Sequence, residues 1–294
     1  PRPGPQEITE AIRASARDLA ARGVATAHHM AYEPVEYWRA LGIAASAADF
    51  PVRVWASIDQ EHLEHAAALG LATGQGGSGF TVGGAKFFVD GALGSRTARM
   101  FEPYAGGEER GVFVHGPEML KERFALAVEA GLAPVTHAIG DEAVAAVLDA
   151  LEATELQWRA AGLRPRVEHV QHIRDEDVRR FGRMGLVASM QPIHLTFDAP
   201  SVRRLLPDRI GRVSRTRSLQ AAGAVLAFGS DTPVAPPDVL AGLRAAVERV
   251  SVDGAVLGEE ERLSVGDALL AYTAGAARAI SREGSSGVLA PGFD

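Results

Sequence analysis

The sequence contains no cysteine. That removes disulfides, thiolate nucleophiles and Cys-ligated zinc together, so any metal must be held by His, Asp, Glu or a modified Lys. No apolar run approaches the roughly 18 residues of a membrane span, and no charged-then-apolar segment opens the chain as a secretory signal would. Basic residues are the minority, with 30 Lys+Arg against 37 Asp+Glu and a formal net charge of −7. Nucleic-acid binding usually shows as a basic patch or stripe. The expected partner is therefore a small molecule rather than nucleic acid or membrane, and a soluble cytoplasmic protein is the default. What is present is ordinary globular material: 294 residues, 47% hydrophobic and 23% charged. One large domain with a core able to hold a buried site accounts for that.

Seven apolar runs read as strands, near 24–29, 52–58, 86–89, 133–136, 166–170, 186–190 and 224–228. Helical spacing fills the intervals at 7–21, 35–41, 60–71, 118–130, 141–161, 175–184 and 218–222, and 237–250 and 264–280 close the series. A shorter run at 80–82 also reads as strand, 90–107 as a long loop, and 191–215 as loop. Asp141 is the N-cap expected for the 141–161 helix. Strand alternating with helix implies a parallel sheet covered on both faces. Seven strands are one short of a closed (β/α)8 barrel, and the missing one would be the first.

Three polar residues sit where such runs stop. His137 follows Ala133–Val135, His169 follows Arg166-Val167, and Asp231 follows Ala224–Phe228. The separations are 32 and 62 residues, one and two strand-helix units of roughly 30 residues each. All three would then emerge at one rim of the barrel, the rim that carries chemistry. Two imidazoles and a carboxylate there suit a catalytic metal with an open position for water. Each has a bland reading too: a hydrogen-bonded core histidine, a structural strand histidine, an Asx-turn. Lys86 opens an apolar strand and either snorkels to the surface or forms a carbamate with CO2. Arg96, in the loop after Asp90-Gly91, is either solvated or placed near substrate. His194 either orients substrate and stabilises an oxyanion or lies on a surface loop. His172 falls just past a strand end. His28, His29, His62 and His65 read as less convincing, the last two on a charged face with Glu61 and Glu64.

Several strings resemble the amidohydrolase superfamily, in particular its amidohydrolase-3 branch with the YtcJ-like proteins and N-substituted formamide deformylases. They are Lys86-Phe-Phe-Val-Asp-Gly-Ala-Leu-Gly-Ser-Arg-Thr-Ala98, His137-Ala-Ile-Gly-Asp141, Val167-Glu-His-Val-Gln171, Ser189-Met-Gln-Pro-Ile-His194 and Phe228-Gly-Ser-Asp-Thr-Pro-Val234. Ala271-Tyr-Thr-Ala-Gly-Ala-Ala277 and Gly287-Val-Leu-Ala-Pro-Gly292 resemble the family's closing segment.

The resemblance implies an α/β fold of the (β/α)8 type and one or two divalent metal ions, zinc first among them. It makes His137, His169, Asp231 and a carboxylated Lys86 metal ligands. Asp231 would also be general base, with His194 and Arg96 completing the catalytic group. The implied reaction is hydrolysis of amide or amide-like C–N bonds by metal-activated water. A phosphotriesterase- or lactonase-like hydrolase on the same centre, and an inactive barrel serving as a binding module, stay open beside it. The family's first-strand His-x-His pair is absent from this sequence. Residues 1–283 would then be a barrel lacking its first strand, and 284–294 the start of an accessory β-sandwich. A homo-oligomer is one way such an open wall would be covered.

Overall fold

The computed structural model describes residues 3–293, so Asp294 lies outside the description. Seven parallel strands stand in chain order within one sheet: β1 (Thr26–His29), β2 (Arg53–Asp59), β3 (Phe80–Phe88), β4 (Pro134–Ala138), β5 (Arg166–His169), β6 (Val187–Met190) and β7 (Val225–Phe228). This is the α/β architecture the sequence implied, with seven strands. Among the described residues β1 and β7 are its two edges.

The sheet is strongly curled. The Arg166 Nη1 of β5 donates to His28 Nδ1 of β1 at 2.9 Å. In a flat sheet those strands would lie about 19 Å apart, at roughly 4.8 Å per strand. Side chains meet across the gap only because the inner face is concave. Ile280, from the chain's last helical stretch, packs with Trp55 of β2 and Val135 of β4.

Alternation along the strands separates the two faces. Val82, Ala85, Phe87, Val167, Ala188, Leu226 and Phe228 point outward into the main apolar core beneath the helices. Each of the Val, Leu and Phe side chains contributes about 2 kcal/mol on burial. The inner face is polar at mid-sheet. Register places Phe88, His137, Glu168 and Ser189 on one level, and Lys86, Val135, Arg166 and Val187 one layer deeper.

Several boundaries differ from the sequence reading. The runs at 80–82 and 86–89 belong to one strand, because Gly83-Gly84 continues the extension instead of turning. A Cβ on Gly84 would lie 2.0 Å from Ala133 O, so glycine is what lets β4 press against β3. The expected loop after β6 holds a helix over Pro192–Leu205. Pro192 occupies its first turn, where the missing N–H is no loss, and Pro200 is tolerated inside it. The helix after β4 runs over Asp141–Ala153 and is capped by Gly140, not Asp141. A separate turn of helix covers Glu155–Ala160. The 60–71 segment is a 3-10 turn, Gln60–His62, followed by Leu63–Ala68. Residues 264–280 divide into Val265–Leu270, a π turn over Ala271–Gly275 and Ala276–Ala279. No strand occurs among residues 284–293. No helix among the described residues is long and apolar enough to cross a membrane.

Candidate active site

His137 points inward from β4, and its surroundings fix its chemistry. Nε2 donates to Gly91 O at 3.0 Å, and because a carbonyl only accepts, the proton of the neutral ring must sit on Nε2 and the lone pair on Nδ1. Burial holds the imidazole down to about 4, helped by the nearby Lys86 charge. Asp90 stands beside it, with Oδ1 3.5 Å from Nε2. The Asp90 carboxylate, buried at the end of β3, also accepts the backbone N–H groups of Ile139, Gly140 and Arg99 at 3.0, 2.8 and 2.9 Å. Burial raises it to about 7, against the pull of those three donors. Gly140 permits this contact, since a Cβ there would lie 1.9 Å from Arg99 O.

His169 reaches the same space by breaking the strand's alternation. Val167 faces outward and Glu168 inward, so a regular strand would send His169 outward. Instead φ is +75° at His169 and +45° at Val170. That turns the His169 ring inward, 4.6 Å from the His137 ring between centroids, and returns Val170 to the outer core. Positive φ at a β-branched residue is strained, at about 1–3 kcal/mol. The Val170 N–H, bonded to Ala138 O and Glu168 O, helps to hold the conformation.

The His169 Nδ1 donates to Gln191 Oε1 at 2.8 Å. Gln191 is oriented for this, its Nε2 donating to Ser189 O at 3.4 Å. His169 therefore presents Nε2 as a lone pair, and burial first, then the neighbouring His137 ring and the Lys86 charge, oppose its protonation. His194 stacks near it at 6.3 Å and donates Nε2–H to Ser230 O at 3.1 Å. His137 and His169 thus each have one nitrogen tied to an oxygen acceptor and one left as a lone pair, the preparation typical of metal-ligating histidines. In kind, these donors fit a divalent cation. His137 and His169 stand as a pair, however: among the described residues no three His, Cys, Asp or Glu groups converge into a complete site.

Lys86 does not snorkel. It is 2% exposed, with Nζ 4.6 Å from the Phe88 ring centroid, and Phe88 in turn packs on His137 at 5.6 Å. Burial pushes the ammonium down to about 8, although Glu168, Asp231 and Asp59 favour its charge. Asp231 lies three residues past β7 with φ +58°. Its carboxyl is raised by burial, partly offset by His194 and Lys86. Arg96 is not drawn into this group. Its half-exposed guanidinium pairs with Glu109 at 3.4 Å.

Below the imidazoles runs a buried polar network with no clear sequence signal beyond a charged pair inside an apolar strand. Arg166 donates to both oxygens of Glu168 at 2.6 and 3.1 Å, to Ser189 Oγ at 2.5 Å and to His28. Burial alone would raise Glu168, but Arg166 and then Lys86 hold it lowered. Asp90, Gln191 and Arg166 are the positioning residues that strand-end reasoning did not single out. His29 pairs with Glu33 at 2.8 Å, and His62 and His65 face each other at 6.4 Å, outside this group.

Comparison with known proteins gives the family. The model of the family described as "Amidohydrolase family" matches residues 1–294. The putative amidohydrolase YtcJ of Bacillus subtilis (strain 168) is 32% identical over 98% of this chain and 55% of its own length. Protein LONG AFTER FAR-RED 3 of Arabidopsis thaliana is 37% identical over 83% of this chain and 41% of its own. An uncharacterized metal-dependent hydrolase from Pyrococcus horikoshii OT3 superposes with a TM-score of 0.89, at 30% identity, over 99% of this chain and 59% of that one. A second, from Pyrococcus furiosus, gives a TM-score of 0.87 at 29% identity over the same shares. The chain thus spans about half the length of the curated relatives it matches.

Proposed function

Since the chain belongs to the amidohydrolase family, we propose that it carries the reaction centre of a metal-dependent hydrolase of amide or amide-like C–N bonds. The observation that carries this reading is the pair of neutral, inward-facing imidazoles 4.6 Å apart, each with its tautomer set by an oxygen acceptor. His137 Nδ1 and His169 Nε2 would hold a divalent ion, zinc in the first instance, with Lys86 as carbamate and Asp231 as further ligands. Such an ion supplies Lewis acidity to the substrate carbonyl and acidity to water.

The remaining chemistry belongs to the chain. Asp231, its carboxyl raised by burial, takes the proton of the attacking water and returns it to the leaving nitrogen. Lys86, lowered to about 8, is partly unprotonated near neutral pH, the form that reacts with CO2. His194, with Nε2 committed to Ser230 O and its ring stacked near His169, orients the substrate.

The test is hydrolysis of a panel of simple N-acyl amines by the chain supplied with zinc and bicarbonate. D231N should lower kcat by about 10²–10⁴-fold with KM little changed. Turnover that survives D231N undiminished would overturn the assignment.

A further inference from the structure

Asp198 lies on the helix over Pro192–Leu205, one turn beyond His194, so the two project from one face of it. It lines a cavity of about 20 Å³ whose walls also include His169, His194, Gln171 and Arg249. His169 is therefore common to this recess and to the imidazole pair, while His137, 4.6 Å from the His169 ring, stands outside it. About 10–15 Å³ suffices for one water-sized group. The half-buried Asp198 carboxylate receives one hydrogen bond, from Gln171 Nε2 to Oδ2 at 3.2 Å. Its Oδ1 is neither bonded nor sealed from solvent, and among the described residues no Lys or Arg pairs with the group.

The open atoms define what the recess would hold. A carboxylate only accepts, so the Gln171 amide must turn its NH2 toward Asp198, which leaves its own Oε1 free and likewise unsealed. The Arg249 guanidinium spends Nε, Nη1 and Nη2 on the carbonyls of Leu257, Ser214 and Val213. Glu261 and Glu260 favour its charge, and Asp198 responds to His194 rather than to Arg249. Burial without a Lys or Arg partner leaves the Asp198 carboxyl raised. Two open acceptors, one of them anionic, call for a cationic donor. Asp198 is the single carboxylate on this wall, which suits a monocation rather than a divalent metal. A primary ammonium, close to one water in size, offers three N–H donors and no acceptor.

We propose that this recess is a substrate subsite in which Asp198 Oδ1 and Gln171 Oε1 receive a primary ammonium of the molecule whose scissile bond lies beyond His169 at the imidazole pair. The substrate class is then an amide that carries an amino group. This rests on the hydrolase reading for what occupies the neighbouring centre, but binding can be read without turnover.

The experiment uses two isosteric probes, N-(2-aminoethyl)acetamide and N-propylacetamide, which differ by ammonium against methyl. Each is titrated at pH 7 into the chain labelled with ¹³Cγ-aspartate, and the carboxyl carbons are followed by NMR. The ammonium probe is expected to bind about tenfold more tightly and to shift the Asp198 signal. D198N, which still accepts the Gln171 N–H, should abolish the preference while binding the propyl probe as the parent does; D198S is the second variant if D198N folds poorly. D49N removes an exposed carboxylate paired with Arg13 and should leave the preference intact. Equal affinities, no binding of the ammonium probe, or a preference that survives the loss of Asp198 would each overturn the proposal. Hydrolysis of both probes with zinc and bicarbonate is scored separately. An ammonium preference without turnover would sink the hydrolase reading and leave the subsite standing, and turnover of N-propylacetamide at equal affinities would do the reverse.

Discussion

The Asp90 carboxylate lies 3.5 Å from His137 Nε2 while accepting three backbone N–H groups from two other segments. One side chain thus ties the loop after β3 to the end of β4 and braces the imidazole between them. D90N keeps the volume but turns an NH2 toward at least one of those N–H groups. A buried donor left unsatisfied costs about 1–3 kcal/mol. Urea unfolding at pH 7 should show a loss of that size with an unchanged m-value, and an unaltered midpoint would show that Asp90 is no brace.

The Arg166–Glu168 pair is buried on both sides. Removing one partner strands a charge in the interior, at about 3–5 kcal/mol. E168Q and R166M are each expected to destabilise the chain by that order. The double variant should lose less than the sum, because each single change is penalised mainly for what it leaves behind. Additive losses in a denaturation cycle would mean the two groups act independently.

Lys86 gives the pH dependence its sign. Its folded pKa of about 8 lies below the ordinary 10.5, so between those values the unfolded chain holds more protons than the folded one. Stability contributed by this group therefore rises as pH climbs from about 8 to about 10.5, and at pH 7 its burial costs about 3 kcal/mol. K86M should be more stable than the parent at pH 7 by about 1–3 kcal/mol, with the gap closing toward pH 10. Denaturant unfolding at three pH values checks this; a gap that stays constant would assign the effect to packing.

The parts of the site that sequence made legible are those where a polar residue ends an apolar run. His137 and His169, which the structure brings ring to ring, stand out that way, and the seven strands emerged from the same alternation. What stayed hidden had backbone or tertiary causes. Strict alternation cannot turn Glu168 and His169 to the same face, and only the positive φ values at His169 and Val170 do so. Asp90 and Gln191 act through atoms far off in sequence, on Gly140 and on the His169 ring. The helix over Pro192–Leu205 was concealed by Pro200, which local propensity treats as a breaker and tertiary packing overrides. Arg96 illustrates the opposite limit. Its loop string was distinctive, yet the guanidinium rests on Glu109.

The central claim is that His137 and His169 form a prepared pair of metal donors, and a zinc titration of the ¹⁵N-histidine-labelled chain tests it most directly. The expected result is a coordination shift at His137 Nδ1 and at His169 Nε2, with Gly91 O and Gln191 retaining the opposite protons. Q191L, which releases the His169 tautomer, should weaken zinc binding by about 10–100-fold. Zinc that binds without moving either ring nitrogen, or that binds Q191L as tightly as the parent, would contradict it.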